Sequence, residues 1–317
     1  MLPSVRAWFD TNTFTLRQWS SAELAAVKGD QRIAVVLPAR NEEATVGALV
    51  RTIRHDLVEE CGLVDEIVVM DSRSTDSTAA VAARAGARVF DVDNVLPALG
   101  RRDGKGEAMW KSLAVTDADL LVFVDADLVD FSSSWVAGLL GPLLTRPRID
   151  LVKAAYDRSI RLGAEISPTG GGRVTELTAR PILNAHWPEL AGILQPLAGE
   201  YAARRSVLEQ VPFVCGYGVE IGLLVDVLRL RGLDAIAQVD LGRRVHRNRD
   251  DADLVATASA VVQAAARRLP VVDDVAATVT RFERTPAGFR PVEIEVPTDE
   301  RAPYASVVGP VPAAIAS

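Results

Sequence analysis

Residues 120–130 read LLVFVDADLVD, an apolar run that ends on Asp125 and Asp127. Two residues apart in an extended segment, both carboxylates point to one side. Like charges that close repel, so the pair calls for a cation. Hard divalent ions such as Mg2+ or Mn2+ take oxygen ligands and share them with phosphates. A solvated strand end with a turn is the alternative for an isolated DAD. In TGGGRVTE, exposed backbone N–H groups stand with Arg173 and Thr175 at a helix start, a natural seat for a phosphate or carboxylate. A flexible linker is the rival, and it leaves the arginine and the threonine unexplained. Lys105 lies between Gly104 and Gly106 at another helix start, where the dipole disfavours a cation unless it reaches an anion. Of three histidines, His55 falls on a polar helix face and His186 beside Trp187, whereas His246 follows an apolar strand inside GRRVHRN.

These groups need elements to carry them. From residue 32 short apolar runs alternate with helical stretches. RIAVVLP, EIVVMD, ARVFDV, LLVFVDAD and IDLVKAAY read as strands. EEATVGALVRTIRHDL, STDSTAAVAARAGA, KGEAMWKSLAV and SSSWVAGLLGPLL read as helices, with Gly86 ending the second. Such alternation predicts an α/β fold: a mainly parallel, Rossmann-like sheet flanked by helices. Ligands then gather beyond the carboxyl ends of the strands, where Pro38, Asp71 and Asp125 stand. VTELTARPILNAHW is helical and divided or kinked at Pro181. GVEIGLLVDVLRLRG reads as an amphipathic helix, DAIAQVDLG as a strand and DLVATASAVVQAAARRL as a late helix. The expected organisation is an N-terminal arm (1–30), a first half (31–157) that holds the strand-end carboxylates, a second half (158–270) that holds the anion seat, and a C-terminal extension with a mobile tail (271–317).

The 317 residues carry a formal net charge of −7, which argues against nucleic acid as the partner. Two cysteines, Cys61 and Cys215, make no disulfide framework, which fits a reducing cytoplasm. No apolar run approaches the roughly 20 residues of a membrane span, and MLPSVRAWFDTNTF lacks the regions of a signal peptide. No Walker A ending follows a glycine-rich loop, which excludes a P-loop.

VVLPARNEEATVGALV, VVMDSRSTDST, GKGEAMWKS and VDADL stand in the order of nucleotide-sugar glycosyltransferases of the GT-A fold. GGGRVTELTARPILN, PLAGEYAARR, GYGVEIGLLVD and GRRVHRN resemble the glucosyl-3-phosphoglycerate synthases, retaining actinobacterial enzymes, over roughly residues 30–270. The resemblance implies transfer of glucose from UDP-glucose to the 2-hydroxyl of 3-phosphoglycerate, an early step toward methylglucose lipopolysaccharides, by a homodimer. It puts Pro38, Ala39, Arg40, Asn41 and Glu42 under the nucleotide, with Ser72, Lys105, Asp125 and Ala126. Glu42 as a first-turn helix residue and Ser74 or Asp76 as rival helix caps are the local alternatives. The resemblance makes Asp127 and His246 the metal ligands, Mg2+ or Mn2+, and Arg244 a second cation at the departing diphosphate. Tyr217 and Glu220 fall near the glucose, with Glu220 as an ordinary helix residue the alternative. Gly172, Arg173, Val174 and Thr175, with Asn248, match the acceptor site. Retention without an evident nucleophile implies front-face attack, the Leu197 carbonyl lying close to the sugar. A mannosyl-3-phosphoglycerate synthase using GDP-mannose shares this anion site. A sugar-phosphate nucleotidyltransferase would carry a glycine-rich loop after its first strand, which PARNEEA lacks. A non-catalytic nucleotide-sugar binder would not need Asp125, Asp127, His246 and Arg173 together. A polyprenyl-phosphate transferase would bring membrane elements.

Overall fold

A computed structural model describes residues 1–162, 165–167, 172–246, 251–269, 278–286 and 288–295. The chain opens with α1 (Pro3–Asn12), β1 (Thr13–Thr15) and α2 (Ser21–Val27), then enters β2 (Ile33–Ala39). α3 (Val46–Ile53) runs on as a wider π turn, Arg54–Glu59. β3 (Glu66–Asp71), α4 (Thr78–Ala85), β4 (Arg88–Asp91), α5 (Lys105–Ser112), β5 (Leu120–Phe123), α6 (Ser133–Thr145) and β6 (Leu151–Leu162) follow. Gly86 closes α4 at φ 105°, a left-handed cap that glycine adopts without strain.

The second half holds β7 (Glu165–Ser167), a π turn (Thr175–Ala179), α7 (Arg180–His186), β8 (Tyr201–Arg204), α8 (Arg205–Leu208), α9 (Val219–Arg231), β9 (Ile236–His246) and α10 (Asp251–Ala266). The division at Pro181 is real. The chain passes from π to α geometry at Arg180, one residue before the proline, and stays helical through the change. Among the described residues no helix is long and apolar enough to cross a membrane.

The main sheet runs β1-β9-β6-β8-β5-β2-β3-β4, with β7 beside β6. β2 pairs in parallel with β3 and β5, and β9 with β1 and β6. β8 runs antiparallel to β5 and β6. This reversal brings the amino end of β8 to the edge where its parallel neighbours finish. Helices cover both faces, so the strands read as continuous apolar runs. Val35 and Leu37 face one core with α3 and α6; Val36, Leu121 and Phe123 face the other with α5 and α9.

One expectation changes, and the two ends of the chain gain structure. α9 is buried along its first seven residues, Val219 to Val225, and is a core helix rather than an amphipathic one. Arg229 and Arg231 in its last turn had made the sequence look two-faced. The N-terminal arm is part of the sheet, β1 pairing with β9 through Thr13–Gln238 and Thr15–Asp240. The C-terminal extension contains an antiparallel hairpin, β10 (Thr278–Thr285) and β11 (Gly288–Glu295), and the mobile tail expected after it lies outside the described residues. Phe282 stacks on Phe9 at 5.2 Å between ring centres, and that burial anchors the hairpin.

Candidate active site

Three elements bring one cation between two carboxylates. Lys105 opens α5, Asp125 lies two residues past β5, and Glu220 is in the first turn of α9. Lys105 Nζ stands 2.5 Å from Asp125 Oδ1 and 3.1 Å from Glu220 Oε1, and donates to the Gly199 carbonyl at 3.4 Å. Burial works against this ammonium, but Asp125 and then Glu220 overcome it and hold its pKa well above the ordinary lysine value. The dipole cost at the α5 start is thus offset by two carboxylates. Lys105 and Asp125, each expected on the nucleotide side, bond each other here.

Gly199 arrives with the reversed β8 strand, whose Tyr201 registers with Phe123. A Cβ at Gly199 would fall 2.2 Å from Asp125 Oδ2, so a side chain there would displace the carboxylate. The start of α5 is equally tight. A Cβ on Gly106 would lie 1.8 Å from the Val214 carbonyl oxygen, and Glu107 N donates to the Cys215 carbonyl at 3.2 Å. The 213–217 loop is therefore pressed against α5, and it carries Tyr217, which is exposed.

On the nucleotide side, Pro38 is half-buried and Ala39 buried at the end of β2, with Arg40 and Asn41 exposed beyond it. Asn41 takes a left-handed backbone, φ 58°, and its Oδ1 accepts from Thr75 N at 2.8 Å. Its own N–H donates to Ser74 Oγ at 2.9 Å. Glu42, half-buried, donates its N–H to Thr78 Oγ1 at 2.7 Å, and Ser72 donates its N–H to the Ala39 carbonyl at 2.8 Å. The loops after β2 and β3 are stitched into one surface, and the Asn41 amide, expected on base and ribose, does part of the stitching. Asp76 Oδ1 accepts Thr78 N, the first amide of α4, at 2.9 Å, while Ser77 holds the N-cap position with no side-chain bond. The buried Ala126 offers its carbonyl to Thr45 Oγ1 at 2.7 Å.

Asp127 is exposed at the same strand tip. Its carboxylate, an imidazole and phosphate oxygens form a donor set that suits Mg2+ or Mn2+. The backbones of Arg244 and His246 end β9, next to β6, with His246 registered against Ile160. Their side chains, and Asn248 altogether, lie outside the described residues.

The residues expected to seat an anion lie together at the start of a helical turn. Gly172 turns at φ 82°, Arg173 is exposed and Val174 half-buried, and Thr175 opens the π turn. Thr175 is 3% exposed, and its hydroxyl has no hydrogen-bond partner among the described residues, the state a ligand oxygen would satisfy. Arg180, which sequence reasoning missed, holds this turn to the segment before Gln195. It grips Glu176 with two bonds of 2.9 Å and donates to the Ile193 and Leu194 carbonyls. The Glu176–Arg180 spacing of four was the available signal. Leu197 is half-buried in the Gln195–Gly199 segment.

A sheet that gathers paired carboxylates and stitched loops at its strand ends has the layout of a nucleotide-sugar transferase of the GT-A kind, and residues 34–185 match the profile of glycosyl transferase family 2. A glucosyl-3-phosphoglycerate synthase of Mycolicibacterium smegmatis is 44% identical over 300 residues, covering 95% of this chain and 98% of that one. Within the class, then, the chain belongs to the glucosyl-3-phosphoglycerate synthase family. The Mycobacterium tuberculosis enzyme of that name, crystallised with Mn2+, UDP-glucose and phosphoglyceric acid, superposes with a TM-score of 0.75 at 45% identity over 93% of this chain and 98% of that one. A mannosyl-3-phosphoglycerate synthase from Rubrobacter xylanophilus superposes with a TM-score of 0.77 at 41% identity over 96% and 98%.

Proposed function

We propose that this chain transfers glucose from UDP-glucose to the 2-hydroxyl of 3-phosphoglycerate with retention, using Mg2+ or Mn2+. The observation that carries the reading is the joint presence of two built half-sites in a chain of this family. One is the Lys105–Asp125–Glu220 cluster at the strand ends, the other the Gly172–Thr175 turn with its unsatisfied buried hydroxyl. Asp127 and His246 would hold the metal, which supplies Lewis acidity at the departing diphosphate. Arg244 adds a second positive group there. Pro38 to Glu42 and Ser72 line the nucleoside, while Tyr217 and Glu220 orient the sugar. Lys105 fixes the carboxylates of Asp125 and Glu220, so neither reorganises during transfer. Arg173 and Thr175, with Asn248, take the acceptor's anionic groups and set its hydroxyl on the sugar. The Leu197 carbonyl lies along the face from which that hydroxyl arrives. The product is a precursor of methylglucose lipopolysaccharides, made in the cytoplasm by a homodimer.

UDP release from UDP-glucose and Mn2+, with and without 3-phosphoglycerate, tests the reading alongside His246→Ala and Arg173→Ala. Release that needs 3-phosphoglycerate and falls sharply in both variants is expected. Hydrolysis indifferent to 3-phosphoglycerate would remove the acceptor assignment. The likeness to the Rubrobacter xylanophilus enzyme favours a second reading, a mannosyl-3-phosphoglycerate synthase. The same assay with GDP-mannose separates the two donors.

A further inference from the structure

Lys153 is the third residue of β6, in the run LVKAAY, which is buried from Leu151 to Tyr156. It is 1% exposed and pairs in register with Tyr201 on one side and Gln238 on the other. An ammonium in a central strand is costly to bury. Among the described residues no carboxylate bonds it directly in the way Asp125 and Glu220 hold Lys105. Its Nζ donates instead to the Ala198 carbonyl at 2.6 Å and lies 4.6 Å above the Tyr201 ring. The Ala198 carbonyl belongs to Gln195–Gly199, the segment that carries Leu197.

β6 grips this segment along its length. The Gln195 amide donates to the Tyr156 carbonyl, Ala154 N donates to the Glu200 carbonyl at 3.1 Å, and Tyr156 Oη donates to Glu200 Oε2 at 2.9 Å. Within the segment Ala198 N donates back to the Gln195 carbonyl at 3.1 Å, which makes a turn. Two lysines then take consecutive carbonyls, Lys153 that of Ala198 and Lys105 that of Gly199. With both turned onto lysines, the preceding Leu197 carbonyl is set by the same turn.

We propose that Lys153 is a positioning residue for glucosyl transfer: it holds the Ala198 carbonyl from inside the sheet and so fixes the Gln195–Gly199 turn that presents Leu197 to the sugar. This inference rests on the proposed function for its kinetic part and on geometry alone for its structural part. The charges that face Lys153 are those of Glu220 on α9, Lys105 on α5, Glu200 before β8 and Asp125 after β5, with the Tyr201 ring on β8. Burial brings its pKa down to about 7 against the partial support of Glu220. A residue kept only for packing would do better as an apolar side chain of the same volume.

The test compares wild type with Lys153→Met, which keeps the volume and removes the donor. Turnover falls about 100-fold, as a misplaced group close to reacting atoms does. KM for both substrates and the affinity for UDP with Mn2+ change less than about threefold, the mark of an interaction spent on the reacting geometry. Amide exchange in peptides covering residues 195–200 quickens at least about tenfold while β2 and β5 keep their protection, a local opening rather than a global one. Unchanged turnover with unchanged exchange overturns the proposal. Loss of UDP affinity and of protection throughout the sheet also overturns it, because that marks a residue of general stability. A wild type that transfers no glucose defeats the functional reading, and the exchange comparison then decides alone: opening confined to 195–200 supports the tether, no opening removes it. Should Lys153→Met fail to fold, Lys153→Gln, a donor of shorter reach, carries the same comparison.

Discussion

At the scale of single residues, two lysines that bond consecutive carbonyls show opposite electrostatic settings. Lys105 has Asp125 and Glu220 within 3.1 Å and keeps its proton well past its ordinary range. Lys105→Met leaves these two carboxylates facing each other without a cation. Removal of one preorganised charged group costs about 100-fold or more, so kcat/KM for UDP-glucose falls by that order in the UDP-release assay. Lys153 is held down to about 7 by burial. Between that value and the lysine range the unfolded chain binds the proton and the folded chain does not, so this residue adds stability as pH rises through the window. Below about 7 both states are protonated and its cost is constant. In urea unfolding, Lys153→Met is therefore favoured over wild type more at pH 7 than at pH 9; an equal difference at both would refute the burial argument. Asp127→Ala bears on the metal. Losing a partner of a ligand already weakens metal affinity about 10–100-fold, so losing the carboxylate itself shifts the Mn2+ titration of activity by at least about 100-fold.

At the scale of elements, the site depends on how closely loops approach helix starts. Gly106 stands where a Cβ would meet the Val214 carbonyl oxygen at 1.8 Å, and neither backbone is free to yield cheaply. Gly106→Ala pushes the 213–217 loop from α5, at about 1–3 kcal/mol for overpacking. A lowered melting temperature and a raised KM for UDP-glucose are the expected readouts, since the loop carries Tyr217. Phe282 on β10 is half-buried, stacked on Phe9 and facing the Arg180 guanidinium at 5.4 Å. The hairpin thus backs the residue that ties the anion seat to the Gln195 segment.

At the scale of the molecule, the first residues close one edge of the sheet. Trp8 is 3% exposed and its Nε1 donates to the Ile236 carbonyl at 2.8 Å, while Val5, Phe9 and Phe14 are buried beside it. Each such side chain is worth about 1.5–3 kcal/mol of burial, and four together approach the 5–15 kcal/mol that keeps a domain folded. Deletion of residues 1–19 also bares the β9 edge, an invitation to aggregation. The truncated chain is expected in the insoluble fraction, and a soluble, cooperatively melting product would contradict this.

Much of this was legible from local order alone. Apolar runs capped by Pro38, Asp71 and Asp125 identify strands that end at a ligand edge, because period and punctuation are properties of neighbours. The helix start at Arg173 and the cap at Gly86 are local in the same sense. The partners of Lys105 are not, for they lie 20 and 115 residues away and meet it only through the packing of α5, β5 and α9. The reversed direction of β8, which sets Gly199 against Asp125, leaves no mark in a four-residue strand reading YAAR. The burial of α9, the stitching of Asn41 to Thr75 and the hairpin at Thr278–Glu295 were hidden for the same reason. Propensity and periodicity are written residue by residue, whereas register, strand direction and burial are decided by contacts between segments far apart in the chain.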